Sequence, residues 1–137
     1  MALLTREQVV ACDDRRYETI PIPEWGGEVR VRSLTEPEYH AYRDSVMMRA
    51  GKDREVNELT MRACLVAACV VDADGKTIFT VDDLTGGKDP SKAKSAHAIA
   101  IIWKVAARLC GMDDDDIGEI LKNCESGQRA GRSSSSA

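Results

Sequence analysis

The chain has 137 residues, one domain's worth, with 43% hydrophobic and 31% charged residues, a balance that folds without disulfide or metal staples. Acids outnumber bases 23 to 19 and the bases are scattered, so the clustered Lys and Arg that displace counterions from nucleic-acid phosphates are missing. The longest apolar run, Ala63 to Val71, is too short to cross a bilayer, and Met1 to Glu7 lacks the basic start and apolar stretch of a signal peptide.

Leu3 to Cys12 reads as a short helix, opened by a Thr5–Gln8 capping box in which each side chain satisfies a free backbone N–H. Asp13-Asp14-Arg15-Arg16 breaks the pattern. Tyr17 to Ile22 and Glu28 to Ser33 alternate with period two, the mark of half-buried strands. Between them Pro23-Glu24-Trp25-Gly26-Gly27 is a turn, which makes a β-hairpin with a Trp near its tip. Pro21 and Pro23 push the first strand toward a sheet edge. Thr35-Glu36-Pro37-Glu38 opens a second helix by another capping box, running to about Arg49 with Tyr39, Tyr42, Val46 and Met47 on its apolar side. A third helix is predicted from about Arg54 to Val70; its second half is apolar all round, which suits the centre of a domain. Val70 to Phe79 holds two apolar stretches around Asp72-Ala73-Asp74-Gly75, a small hairpin or tight loop. Thr80 to Asp83 caps another short helix, and Gly86 to Pro90 is a linker. Ser91 to Cys110 is predicted as a long helix with Ile99, Ile102, Trp103, Ala106 and Cys110 on one stripe, widened by Ile101 and Val105 and ended by Gly111. Asp113 to Asp116 reads as the first turn of a final short helix, where acids complement the helix dipole.

These elements define an α+β, mainly α-helical chain, a small N-terminal β-hairpin packed on a bundle of about four to five helices. One globular domain is expected over residues 1–124, with the hairpin at about 17–33 and helices over about 36–123. Residues 125–137, Ser-rich and without a large apolar side chain, are expected as a disordered tail. The cysteines, Cys12, Cys64, Cys69, Cys110 and Cys124, are odd in number and lack CxxC spacing, so all five are expected as reduced, mostly buried thiols.

Catalytic and metal chemistry find little support. His40 and His97 each sit on a predicted helix without a Ser or Cys nucleophile in a motif, so both read as structural or surface residues. Asp72, Asp74 and Gly75 resemble the start of a calcium loop, but the glycine follows the second Asp at once and Val81 stands where the closing glutamate belongs. Asp113 to Asp116 could hold a cation, though a capping first turn is simpler. Gly86-Gly87-Lys88-Asp89 lacks the spaced glycine and preceding strand of a phosphate loop. No catalytic residue, metal site or cofactor is therefore expected. That leaves surfaces. Trp25 is either tucked onto the domain or held out as an anchor. The stripe of Ile99, Ile102 and Trp103 is wider than one-sided burial needs, so it is core, partner groove or self-association contact. Trp25, Ile99, Ile102 and Trp103 are the partner-binding candidates.

The order of elements resembles the tail assembly chaperones of long-tailed, siphovirus-type bacteriophages, in the short, non-frameshifted form. The resemblance rests on Leu4-Thr5-Arg6-Glu7-Gln8 and above all on Ile20-Pro21-Ile22-Pro23-Glu24-Trp25-Gly26-Gly27 followed by Glu28-Val29-Arg30-Val31-Arg32. It continues through Leu34-Thr35, Val70 to Lys76 and the Ser-rich end after Leu121-Lys122-Asn123. It implies a non-catalytic protein that binds and shields the tape-measure protein in the host cytoplasm and is absent from the mature virion. It also implies tail-tube protein as a second partner, recruited by a longer form made through ribosomal frameshifting. The rival reading is a virion structural protein, such as a minor tail or head-tail adaptor component.

Overall fold

The computed structural model describes residues 2–50 and 57–112. A short helix α1 (Arg6–Ala11) precedes a hairpin of β1 (Tyr17–Ile22) and β2 (Gly27–Arg32). Helices α2 (Glu36–Ala50) and α3 (Glu58–Cys69) follow, then a two-residue strand β3 (Val70–Val71), a single-turn α4 (Val81–Thr85) and α5 (Ala96–Leu109). The α+β, mainly helical reading of the sequence is what the structure has, with the hairpin enlarged by β3 into a three-stranded antiparallel sheet ordered β1-β2-β3.

The hairpin register pairs Ile20 with Val29 and Ile22 with Gly27. Ile20, Ile22 and Val31 turn inward and are buried. Pro21 cannot donate a ladder hydrogen bond, and β1 is indeed an edge strand. The turn is one turn of 3-10 helix, Pro23–Trp25, closed by Gly26 at φ 72°, a left-handed conformation that a side chain resists.

Helix α3 is the centre of the domain. Met61, Cys64, Leu65, Val66 and Cys69 are all buried, and α3 packs against α2, α4 and α5. Its described start is later than the sequence reading: Asn57 is the cap, its side-chain oxygen accepting from the Thr60 N–H at 2.8 Å, and residues 54–56 lie outside the described residues. The helix ends one residue earlier than predicted, because Val70 joins β2 instead. After β3, Asp72 takes the backbone N–H groups of Asp74 and Lys76 on one carboxylate oxygen, at 2.8 and 3.0 Å. An isolated bridge from Val71 to Thr77 closes that turn.

The long helix also starts later than predicted, at Ala96 rather than Ser91. Ser91 is engaged elsewhere: its hydroxyl donates to Asp89 at 2.6 Å within a 3-10 turn, Pro90–Lys92. The Lys94 N–H then bonds to the Leu84 carbonyl at 2.9 Å, and Ser95 becomes the true cap. Gly86 permits this path. Its φ is +85°, and a Cβ there would lie 2.3 Å from the Asp89 carbonyl oxygen. The final helix expected after Asp113, and the Ser-rich tail, lie outside the described residues.

Candidate interaction surface

The four residues singled out from sequence fall into two groups. Ile99 and Ile102 are core; Ile102 is 0% exposed. The width of the α5 stripe has a simple cause: α5 packs on α3 and also on both strands of the hairpin, so two neighbours consume it. These two isoleucines cannot meet a partner without opening the domain. Trp25 and Trp103 are half-buried. Trp25 sets its ring edge-on to Phe79, with centroids 5.6 Å apart. The adjacent Glu24 accepts hydrogen bonds from the Ser95 hydroxyl at 3.2 Å and the His97 ring at 2.9 Å, tying the hairpin tip to the start of α5. The His97 bond, foremost, holds the Glu24 carboxyl below its ordinary range. Trp25 is thus tucked on one side, as a hairpin-tip aromatic can be.

Trp103 lies beneath the Arg62 guanidinium, 5.0 Å from its ring centroid. Among the described residues, the buried Trp103 Nε1 meets no hydrogen-bond acceptor, and neither does the Arg62 Nε. Both tryptophans still show part of their surface, so they remain available as rims of a contact rather than as isolated anchors.

The largest exposed apolar side chains lie elsewhere. Helix α1 buries none of its residues. Leu3 is 96% exposed, Leu4 73%, Val10 68% and Val9 56%. The helix is nonetheless well capped: the Thr5 hydroxyl accepts from the Gln8 N–H at 3.2 Å, and the Gln8 side chain accepts from the Thr5 N–H at 2.9 Å. Leu4 and Val9 occupy the positions of a hydrophobic staple around that box. A second apolar spot is Met48, in a shallow groove along the outer face of α2 with Ala41, Asp44, Ser45 and Arg49. These positions follow a helical i, i+3, i+4, i+7 stripe.

The α1 arm leaves the domain from a firm anchor. The Arg16 N–H donates to the buried Ser33 hydroxyl at 2.9 Å, and the Ser33 N–H returns a bond to the Arg16 carbonyl at 2.8 Å. Arg15 grips Glu38 with two bonds, at 2.8 and 3.1 Å, and donates to the Ser33 carbonyl. Arg32 reaches the same carboxylate at 3.5 Å and donates to the Ala68 carbonyl in the last turn of α3, where a cation complements the helix dipole. Burial pushes the Glu38 carboxyl up. The Thr35 N–H, the Arg15 hydrogen bond and the Arg32 charge outweigh it, and the group sits below its usual range.

Sequence reasoning missed Leu3, Leu4, Val9 and Val10 as a surface. The signal was present: a self-sufficient capping box, then four consecutive charged residues that separate the helix from any core. Among the described residues, no group of three or more His, Cys, Asp or Glu side chains could hold a metal ion, and no helix is long and apolar enough to cross a membrane. The arrangement offers an apolar arm and partly open aromatics, features suited to packing against another chain.

No protein-family model matches the chain, and no curated protein matches it. Among solved structures the chain is similar to the tail assembly chaperone of bacteriophage HK97, at 21% identity over 79% of this chain and 95% of that one. The TM-score is 0.48, a likeness in outline across which no residue's role is carried.

Proposed function

We propose that this chain is a tail assembly chaperone of a long-tailed bacteriophage, a non-catalytic protein that binds the tape-measure protein and shields it while the tail is built. The observation that carries the reading is the N-terminal arm, in which Leu3 and Leu4 just before the capped helix, and Val9 and Val10 on it, are all exposed. An isolated six-residue helix is marginal in water, and apolar side chains on it gain their burial from another chain. A very long helical protein with an exposed apolar stripe is a client of matching chemistry. The sequence resemblance centred on Ile20 to Arg32 adds support from a separate part of the chain. In this role the protein works in the host cytoplasm and leaves before the particle is finished, and a longer frameshifted form brings tail-tube protein to the same client.

The test is co-expression with tape-measure fragments. The chain is expected to hold a helical fragment in the soluble fraction and to co-purify with it. Failure with fragments that tile the whole tape-measure protein would overturn the reading. Recovery of the chain at structural copy number in purified particles would favour a virion component instead.

A further inference from the structure

Helix α5 runs from Ala96 to Leu109 without an Asp or Glu, in a chain whose net charge is -4. His97, Lys104 and Arg108 are exposed and share one side of it. His97 is bonded to Glu24 and Arg108 to Glu18; among the described residues Lys104 has no partner. Next to Lys104, Trp103 stands at the seam where α5 packs on α3. The Arg62 guanidinium of α3 lies over its ring, and among the described residues neither the buried Trp103 Nε1 nor the buried Arg62 Nε has an acceptor. One turn away on α3, Leu59 is 60% exposed. A buried N–H that has lost its water and gained no acceptor is unfavourable. The seam thus holds two donors with an unmet need, in reach of an apolar side chain that is already open.

We infer that the seam of α3 and α5 docks an amphipathic helix of a partner chain, one that carries a carboxylate beside its apolar stripe. The carboxylate is called for by Arg62, by Lys104 and by the lack of any acid along α5. The apolar stripe is called for by Leu59 and by the open part of the Trp103 ring. Two helices packed side by side leave a groove between them that fits a third. The inference rests on the reading that this chain binds a helical client, and it adds a second contact to the N-terminal arm.

Arg62 is the movable piece. Its side chain is 34% exposed, and its ion pair, to Glu58 at 3.2 Å, rests on a carboxylate that is 69% exposed. Water screens such a pair, so exchanging Glu58 for a carboxylate of the partner costs little. The exchange draws the guanidinium toward the partner and off the indole ring. The Trp103 N–H then meets an acceptor side chain of the docked helix, and the Arg62 Nε turns to the incoming carboxylate. An arginine suits this step, since its planar fork binds a carboxylate through two N–H groups at once. Leu59 and the uncovered indole face close over the apolar stripe.

The experiment uses the full chain and the tape-measure fragments of the co-expression test, with Leu59→Ser, Arg62→Gln and Lys104→Gln each checked for folding by circular dichroism. Lys104 is exposed, so its variant still decides if the other two lose stability. With a fragment that the natural chain retains, each folded variant is expected to co-purify at least about 5-fold less of it. Folded variants that retain the fragment as well as the natural chain does overturn the inference and leave the chaperone reading standing. If the natural chain retains no fragment, that reading fails, and a synthetic amphipathic peptide of about 18 residues, five turns, with glutamates beside a leucine stripe, tests the seam by itself. In a Trp25→Phe background Trp103 is the one remaining tryptophan. Its emission should shift on titration with this peptide. Glutamine in place of the glutamates, or Arg62→Gln in the protein, should weaken binding at least about 5-fold. No shift, or equal binding of both peptides, overturns the inference. So does a dimer in sedimentation that Leu59→Ser dissolves, because a second copy then occupies the seam.

Discussion

Helices α1 and α5 begin in the same way and end with opposite fates. Each opens on a hydroxyl cap that accepts the N–H three residues on, Thr5 from Gln8 and Ser95 from Ala98. Each carries aliphatic side chains. Yet α5 buries six residues between α3 and the hairpin, while α1 buries none. Capping decides where a helix starts; what its apolar side chains do depends on the surfaces that the rest of the chain brings to them. In α5 they hold the domain together, and in α1 they stay exposed.

The comparison can be broken from the α5 side. Ile102→Ala should cost about 2–5 kcal/mol in urea denaturation, since a fully buried isoleucine leaves a cavity in a packed core. The equivalent truncation on the arm, Val10→Ala, should move stability by less than about 0.5 kcal/mol. Equal losses would mean that the arm packs on the domain, and the contrast would fail. Gly86→Ala, in the connection that delivers the chain to α5, should cost about 1–3 kcal/mol, because a left-handed backbone and a 2.3 Å approach to Asp89 meet at one residue.

The anchor of the arm should show a smaller effect with a definite pH sign. The folded Glu38 carboxyl lies below its ordinary value of 4.5. Its contribution is therefore complete above that pH and is lost as pH falls through the folded value. Its side chain is 30% exposed, so solvent screens the Arg15 and Arg32 contacts, and Glu38→Gln should cost about 1 kcal/mol at pH 7. The difference between variant and natural chain should shrink toward zero as denaturation is followed into acid. A difference that persists below pH about 3 would mean that the carboxylate charge is not what matters.

Much of this architecture was legible because local rules and tertiary packing agree. The period of two in Ile20, Ile22, Val29 and Val31 gave the hairpin, and Pro21 placed β1 at an edge. The apolar second half of α3 marked it as the central helix. What was not legible was competition between alternative uses of one residue. Ser91 looks like a cap but is taken by Asp89, and Val70 continues the helical pattern but pairs with Val31. The surface was read least well. Ile99 and Ile102 looked like excess apolar width because the sequence does not say that α5 has neighbours on two sides. Among thiols expected to be mostly buried, Cys12 is exposed, since α1 has no core beneath it. Both outcomes have one origin: periodicity tells which side chains share a face and is silent about what that face meets.

The most direct measurement is co-expression of a helical tape-measure fragment with the natural chain and with an arm variant carrying Leu4→Ser, Val9→Ser and Val10→Ser. Circular dichroism and urea denaturation should show the variant folded with near-natural stability, because those side chains are already exposed. The account predicts that the natural chain keeps the fragment soluble and that the folded variant loses at least about 10-fold in co-purified fragment, about 1.4 kcal/mol of binding. A folded variant that retains the fragment as well as the natural chain does would contradict the claim that the N-terminal arm is the binding surface.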